Sequence, residues 1–406
     1  MSTKQLILDV DAHEMAPSEL WETMFGPVAG EVTRITAPVF QNVAASGNAN
    51  SLFGTGVLSD DTLITSDAVW NLKGVKAPSA IDMNRRLEVM DLQGVRQQLV
   101  FPTYGLFPLS LMTPGSMVMN FLRKSGTCKL SDDELGEIGR AGLDEYNDWA
   151  VRMSKIDADR LRVVPYLAAA ETVDDLMAQA EPLVRSGIRA LHLSHGTPPG
   201  GRSPAHPELD QFWDLLASNG VACVTHLFGE SQFMASSVWV DAPAFKPGKV
   251  QSHEIGLEPY SFATLHLAVT NFLTCMTLGG VFERHPNLRL GVIEMGAGWL
   301  GPVADNLDMW ARDMYAARLK PFASKLPSEY FSDNVRVTPF NVFEPVDKYF
   351  AQYPHLSSCY CYSTDFPHQE GGPESSMLRH LDKLSTMGDD LVDKFFYKNA
   401  ELLFPA

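Results

Sequence analysis

The chain has 406 residues, 45% of them hydrophobic and 20% charged, enough to bury a large core in one or two domains. A formal net charge of −17 argues against nucleic acid or an anionic membrane surface as partner, because both demand clustered Lys and Arg. No run approaches the roughly 20 apolar residues of a membrane span, and five scattered cysteines with no C-x-x-C pair point to a reduced, cytoplasmic setting.

The first element is the strand-forming run Leu6–Asp11, which follows Met1-Ser2-Thr3-Lys4 at once, with no secretory signal before it. Residues i and i+2 of a strand share a face, so Asp11 and His13 project together from its C-terminal end. Residues 26–80, rich in Gly, Ser, Asn and Thr, form an insertion. Helix Ile81–Gln93 stops before Gly94, and strand Gln98–Pro102 follows. Helix Ser131–Lys155 opens with the capping-box pattern Ser131-Asp132-Asp133-Glu134 and leads to strand Leu161–Leu167. Helix Val173–Val184, strand Ile188–Ser194, helix Pro207–Ser218 and strand Val221–Thr225 continue the alternation. A second insertion, 228–260, carries Phe228, Phe233, Met234, Trp239, Phe245 and Tyr260; these aromatic residues form a lid over an apolar substrate, or else pack on the exterior or a partner subunit. Helix Tyr260–Glu283 ends at Pro286. Strands Leu288–Ile293, Val335–Thr338 and Ser357–Tyr362 then alternate with helices Pro302–Ala317, Met377–Leu384 and a C-terminal helix from Asp390.

Strand–helix alternation implies a parallel sheet, and eight units in this length fit an α/β fold of the (β/α)8 TIM-barrel type. The expectation is one domain over residues 1–406, with insertions after strands 1, 2 and 5. A doubly wound open sheet is the alternative, weakened because no G-x-G-x-x-G follows the first strand.

Ionisable residues gather at the strand ends: Asp11 and His13, then His195, His226, Glu294 before the Gly296-Ala297-Gly298 turn, and Asp365 before Phe366-Pro367-His368. Carboxylates collected at one barrel mouth repel one another unless a cation sits among them, so the pattern points to a divalent metal. Arg336 on the seventh strand is a candidate for binding a substrate carboxylate, or for pairing with Asp333 or Glu294. His368 and Glu370 are candidates for supporting Asp365 or binding substrate, with helix capping as the alternative. His192 faces the opposite side of its strand from His195 and reads as structural.

The chain resembles the amidohydrolase superfamily, in the branch related to aminocarboxymuconate semialdehyde decarboxylase. The likeness spans nearly the whole chain: Asp11-x-His13, Arg86-Leu87-Glu88-Val89-Met90-Asp91, Phe101-Pro102-Thr103, Asn147-Asp148-Trp149, Asp159-Arg160-Leu161, Gly187-Ile188-Arg189, His226, the run Gly280–Arg289, Glu294–Trp299, Asn334-Val335, and Ser363–His368. By matching position the resemblance implies that Asp11, His13, His195 and Asp365 ligate the metal and that His226 beside it is the acid/base or the residue that orients a metal-bound water. The branch lacks the bridging carboxylated lysine of binuclear relatives, and no Lys lies at a strand end here. Asp11 replaces the first histidine of the common H-x-H, and Glu294 stands where many members carry histidine. Both changes trade nitrogen for oxygen and move preference from zinc towards manganese or iron. One ion is favoured; three carboxylates and three imidazoles suffice for two.

The function implied is non-oxidative decarboxylation of a small aromatic or unsaturated carboxylic acid, with His226, Glu294 and Asp365 as catalytic candidates. Hydrolysis of an ester, lactone or amide is the alternative, and an iron-dependent oxygenase on a binuclear site is a third. A homodimer or other homo-oligomer is the expected assembly, with a small molecule as the only other partner.

Overall fold

A computed structural model of the chain describes residues 6–45, 56–227, 239, 242–245 and 259–405. Seven strands lie among them: β1 (Ile7–Asp9), β2 (Val95–Val100), β3 (Leu161–Val163), β4 (Ala190–His192), β5 (Ala222–His226), β6 (Leu290–Ile293) and β7 (Val335–Val337). They form two parallel sheets in sequence order, β1-β2-β3 and β4-β5-β6-β7. Every strand position of β1 and of β3 to β7 is buried, as expected of sheets covered by helices on the outside and filled by side chains within. Isolated parallel bridges extend the pattern: Tyr166 to His192, Val337 to Tyr360, Ala12 to Phe366, and His13 to Phe101.

The expected strand Ser357–Tyr362 is reduced to the Tyr360 bridge, because Asn399 takes the carbonyls of Ser357 and Tyr360 with its side-chain amide, both at 2.8 Å. The capping box at Ser131 is present and starts the helix Asp132–Ser154. Helix Arg86–Gln93 stops at Gly94, whose φ of 79° is left-handed and suits glycine. Tyr260–Glu283 is not one helix: it breaks into Pro259–Thr264, His266–Leu278 and Val281–Arg284, with Gly280 at φ 74° between the last two. Pro259–Leu278 has the length and composition, and these alone, of a segment that could cross a membrane, a test that a buried core helix passes equally. Ala268, Val269, Phe272, Leu273 and Met276 of it are buried within the protein.

The insertion at 26–80 holds a 19-residue helix, Pro27–Ala45, that its glycine, threonine and internal Pro38 obscured in the sequence. Ala29, Val32, Thr36 and Val39 are buried at helical spacing. Glu145, on the helix Asp132–Ser154, accepts the Val28 and Ala29 N–H groups at 3.1 and 2.9 Å and so caps its start. Most of the second insertion, with the lid expected of Phe228, Phe233 and Met234, lies outside the described residues.

At the strand ends opposite the site, the C-terminal segment is strapped across the sheets. Arg162 of β3 donates to the Pro405 carbonyl at 2.6 Å and stacks over Phe404. Arg336 of β7 donates to the carbonyls of Asn399, Ser332 and Val335 at 2.7, 3.0 and 2.8 Å.

Candidate metal centre

Beyond its last regular residue, β1 continues as single bridges: Ala12 to Phe366 and His13 to Phe101. The His13 N–H donates to the Phe366 carbonyl at 2.7 Å, and the Asp365 N–H donates to the Asp11 carbonyl at 2.8 Å. These bonds set the chain's two distant segments side by side and bring Asp11, His13 and Asp365 to one point. His226, the last residue of β5, and Glu294, the first after β6, complete the group.

The geometry is that of donors converging without donating to one another. His13 Nε2 lies 3.4 Å from Asp11 Oδ1 and 3.5 Å from Asp365 Oδ1; His226 Nε2 lies 3.5 Å from Asp11 Oδ1 and 3.0 Å from Glu294 Oε2. Asp11 Oδ1, His13 Nε2, His226 Nε2 and Asp365 Oδ1 are buried, and none makes a hydrogen bond among the described residues. Ligand atoms of Asp11, His13, His226 and Glu294 all lie within 4.8 Å of one another, as do those of His13, Asp365 and His368. Burying four lone-pair atoms without partners costs about 1–3 kcal/mol each. A divalent cation removes that cost by accepting all of them at once, so the residues fit a metal ion.

Electrostatics agree. Burial works against ionising Asp11, but His13 and His226 beside it outweigh burial and hold its carboxyl at about 2. Burial pushes Asp365 well above the usual carboxylate range, with the Glu294 charge adding to it, and raises Glu294 as well. Burial and the neighbouring His368 lower His13 to about 3, leaving its imidazole a neutral ligand. His226 goes the other way: burial opposes its charge, but Asp11 and Glu294 raise it to about 10, so it holds a proton where a metal would otherwise sit. Its Nδ1 lies 3.3 Å from the Leu227 carbonyl; donation there leaves Nε2 as the ligand atom.

Two of the carboxylates stand on left-handed backbone. Glu294 has φ 56° and Asp365 φ 49°, conformations that cost a residue with a side chain roughly 1–3 kcal/mol. The surroundings impose them. The Glu294 N–H donates to Thr338 Oγ1 at 2.8 Å, and the glycine turn behind it is gripped by Glu344, which accepts the N–H groups of Ala297, Gly298 and Phe340. Behind Asp365, a Cβ on Gly371 would come within 2.1 Å of the Thr364 carbonyl, so only glycine lets that loop close.

A supporting layer lies beneath. Asp9, fully buried, accepts Thr364 N–H and Oγ1–H at 2.7 and 2.6 Å and Gln98 Nε2–H at 2.7 Å, and burial raises it to about 7. Arg86 donates to the His13 carbonyl at 2.7 Å and to Gln98 Oε1 at 3.1 Å. Glu14 accepts the N–H groups of Ala16, Thr103 and Tyr104. None of Asp9, Glu14, Gln98 or Arg86 stood out as a site residue in the sequence. Buried charge inside an apolar run, as at Asp9, was the available signal.

His195 is buried and close enough to His226 to feel its charge, but it is not among the residues whose ligand atoms gather within 4.8 Å of one another. His192 itself faces the interior, stacked on Tyr166 and close enough to His226 to feel its charge. Arg336 is not at the mouth: its guanidinium is spent on three backbone carbonyls at the far end of the strands, which removes it as a substrate-binding residue. His368 is buried against His13, with ring centroids 4.2 Å apart.

A model of the amidohydrolase family matches residues 129–406. The chain belongs to the amidohydrolase family. Membership makes it an enzyme of hydrolase or lyase type, and together with the similar solved structures it gives the chain a TIM-barrel fold. An amidohydrolase from Mycobacterium avium subsp. paratuberculosis is 17% identical with a TM-score of 0.62, over 98% of this chain and 99% of that one. A 2,6-dihydroxybenzoate decarboxylase from Rhizobium is 17% identical at TM-score 0.53, over 79% and 87%. A 5-carboxyvanillate decarboxylase from Novosphingobium aromaticivorans, complexed with manganese and 4-hydroxy-3-methoxy-5-nitrobenzoic acid, is 18% identical at TM-score 0.54, over 100% and 97%. A comparison with curated protein sequences found no match.

Proposed function

We propose that the chain is a metal-dependent carboxy-lyase that removes CO2 from a small aromatic or unsaturated carboxylic acid without oxidation. The observation that carries the reading is two buried groups of ligand atoms that share His13: Asp11, His13, His226 and Glu294 in one, and His13, Asp365 and His368 in the other. Asp11, His13, His226 and Asp365 would hold one divalent ion, and the oxygen-rich set favours manganese over zinc. When bound, the ion supplies Lewis-acid stabilisation of negative charge on the substrate's oxygens.

The chain's own residues supply the rest. Glu294 is the proton donor: burial raises its carboxyl, so the acid form is available in the dry site. As the C–C bond to the carboxylate breaks and CO2 leaves, the bonding pair stays on carbon and takes the Glu294 proton. Asp9, through Thr364, and Arg86, through the His13 carbonyl, keep the two ends of the cluster in register. The similar structures named for decarboxylation of 2,6-dihydroxybenzoate and 5-carboxyvanillate support the same chemistry.

The reading includes one domain over residues 1–406 with its two sheets closed into a barrel, supported by the isolated bridges at Tyr166, Tyr360 and Phe366. It also includes a reduced cytoplasmic setting, supported by five free cysteines, and a homo-oligomer, supported by the exposed Met309, Trp310, Met314, Tyr315 and Phe322. Hydrolysis is the second reading, favoured by Glu294 in its ionised form as a base for water.

The test is CO2 release from hydroxybenzoates and unsaturated dicarboxylates by manganese-loaded protein, beside ester and lactone hydrolysis. Glu294→Gln should lower kcat by about 10²–10⁴-fold with metal retained. Fully metallated protein that releases no CO2 but hydrolyses an ester overturns the lyase reading.

A further inference from the structure

Next to the metal centre lies a second buried polar pair that the proton transfer above does not use. Tyr166 and His192, each 1% exposed, are joined by a parallel bridge, and their rings stack at 3.7 Å with planes 10° apart. Asn147 fixes the tyrosine's backbone from the outer helix, accepting the Tyr166 N–H at 2.8 Å and donating to its carbonyl at 2.9 Å. Yet the Tyr166 hydroxyl and both His192 ring nitrogens are buried without a hydrogen-bond partner among the described residues.

A buried tyrosine hydroxyl ordinarily finds an acceptor, and one left without costs about 1–3 kcal/mol. Here the ring is held rigidly from behind, by Asn147 and by the stack, while its polar end is left for something else. Tyr166 lies just past the C-terminal end of β3 and bridges to His192 at the end of β4, whose partner Val224 on β5 stands two residues before His226, so the phenol belongs to the same end of the strands as the metal centre. Burial and the charges of Asp11 and Glu294 keep it protonated, so it can donate but not accept a proton. The partner it lacks is an oxygen, and the metal centre is where an acid substrate brings one.

We propose that the Tyr166 hydroxyl, with His192 as the flat wall that fixes its ring, donates a hydrogen bond to an oxygen substituent of the bound acid. The site then selects acids that carry a hydroxyl or second carboxylate beside the carboxylate that leaves. The identity of the acid rests on the lyase reading; the donor does not.

The experiment is calorimetric binding of 2-hydroxybenzoate and of benzoate to manganese-loaded wild-type protein and to Tyr166→Phe, which keeps the ring and its stack. Wild-type protein should bind 2-hydroxybenzoate at least about tenfold more tightly than benzoate, as for a hydrogen bond to a charged oxygen, and Tyr166→Phe should bring the ratio close to one. Metal content should stay unchanged, and the melting temperature should hold or rise, since the variant removes a hydroxyl with no partner. His192→Phe, which also preserves stacking, should retain most of the ratio. An unchanged ratio in Tyr166→Phe overturns the proposal. So does equal weakening of both ligands, the result expected if water were the only partner, or a marked fall in melting temperature, which would make the hydroxyl structural. If the ratio collapses but no acid loses CO2, the donor stands and the lyase reading falls; if CO2 is released and the ratio survives, the reverse holds.

Discussion

The two ends of the strands treat buried charge in opposite ways. At one end Arg162 and Arg336 are buried but engaged, donating to the carbonyls of Pro405, Asn399, Ser332 and Val335, so the C-terminal segment is held against the sheets. At the other, lone-pair atoms of Asp11, His13, His226 and Asp365 are equally buried and make no hydrogen bond among the described residues. Satisfied buried charge is what a fold needs to stand; unsatisfied buried charge, gathered at one point and partly on left-handed backbone, is tolerated only where something else completes it. The difference separates the end that maintains the barrel from the end that does chemistry.

The comparison breaks most visibly if substitutions at the two ends have similar effects. At the site, Asp11→Asn and Asp365→Asn should reduce activity by roughly 10³-fold or more, since several kcal/mol of charge stabilisation go with the metal. Elemental analysis should show the ion lost. In metal-free form Asp365→Asn should melt no lower than metal-free wild type, because burial keeps that carboxyl protonated and its Oδ1 has no hydrogen-bond partner among the described residues, whereas Asp11→Asn should melt lower, because the His226 proton loses a carboxylate that stabilises it. A lowered melting temperature of metal-free Asp365→Asn would show that this carboxyl serves the fold.

At the other end Arg336→Met should do the reverse. It leaves three carbonyls without their donor and should cost about 3 kcal/mol in denaturant unfolding, with kcat/KM and metal content unchanged. A rise in KM for acid substrates would return Arg336 to the substrate site, where the sequence had put it. Chelation of wild-type protein is the third contrast. At a free metal concentration about a thousandfold above Kd, binding adds about 4 kcal/mol, so stripping the metal should lower the melting temperature by several degrees. The same treatment should leave the melting temperature of Asp365→Asn unmoved.

How far the sequence revealed this contrast follows from the range of the forces involved. Alternating apolar runs and the Ser131 capping box are local, and they gave the strand order and the helix Asp132–Ser154 in advance. Asp11, His13, His226, Glu294 and Asp365 were legible because each ends a strand run. Arg336 was misplaced because nothing local says that a strand arginine will meet the Asn399 carbonyl, 63 residues away. The helix Pro27–Ala45 escaped notice because its N-terminal cap is Glu145, more than a hundred residues on. What the sequence withheld was in each case a contact between distant segments.

The smallest expected effect tests whether the boundary between the two ends is sharp. Asp9 lies just below the metal centre and, like Glu14, has its partners: Thr364 twice, Gln98 once and the Asp11 N–H. Thr364→Val keeps the shape of the side chain, removes the 2.6 Å hydroxyl contact and leaves the backbone N–H bond in place. If Asp9 and Thr364 act by aiming Asp365, which follows Thr364 directly, metal affinity should fall by about tenfold. Stability of the metal-free protein should fall by about 1 kcal/mol, as for one lost hydrogen bond. Excess manganese should restore kcat fully, because the ligands themselves are intact. A loss of kcat that saturating metal does not repair would place Thr364 in the chemistry and move the boundary one layer deeper.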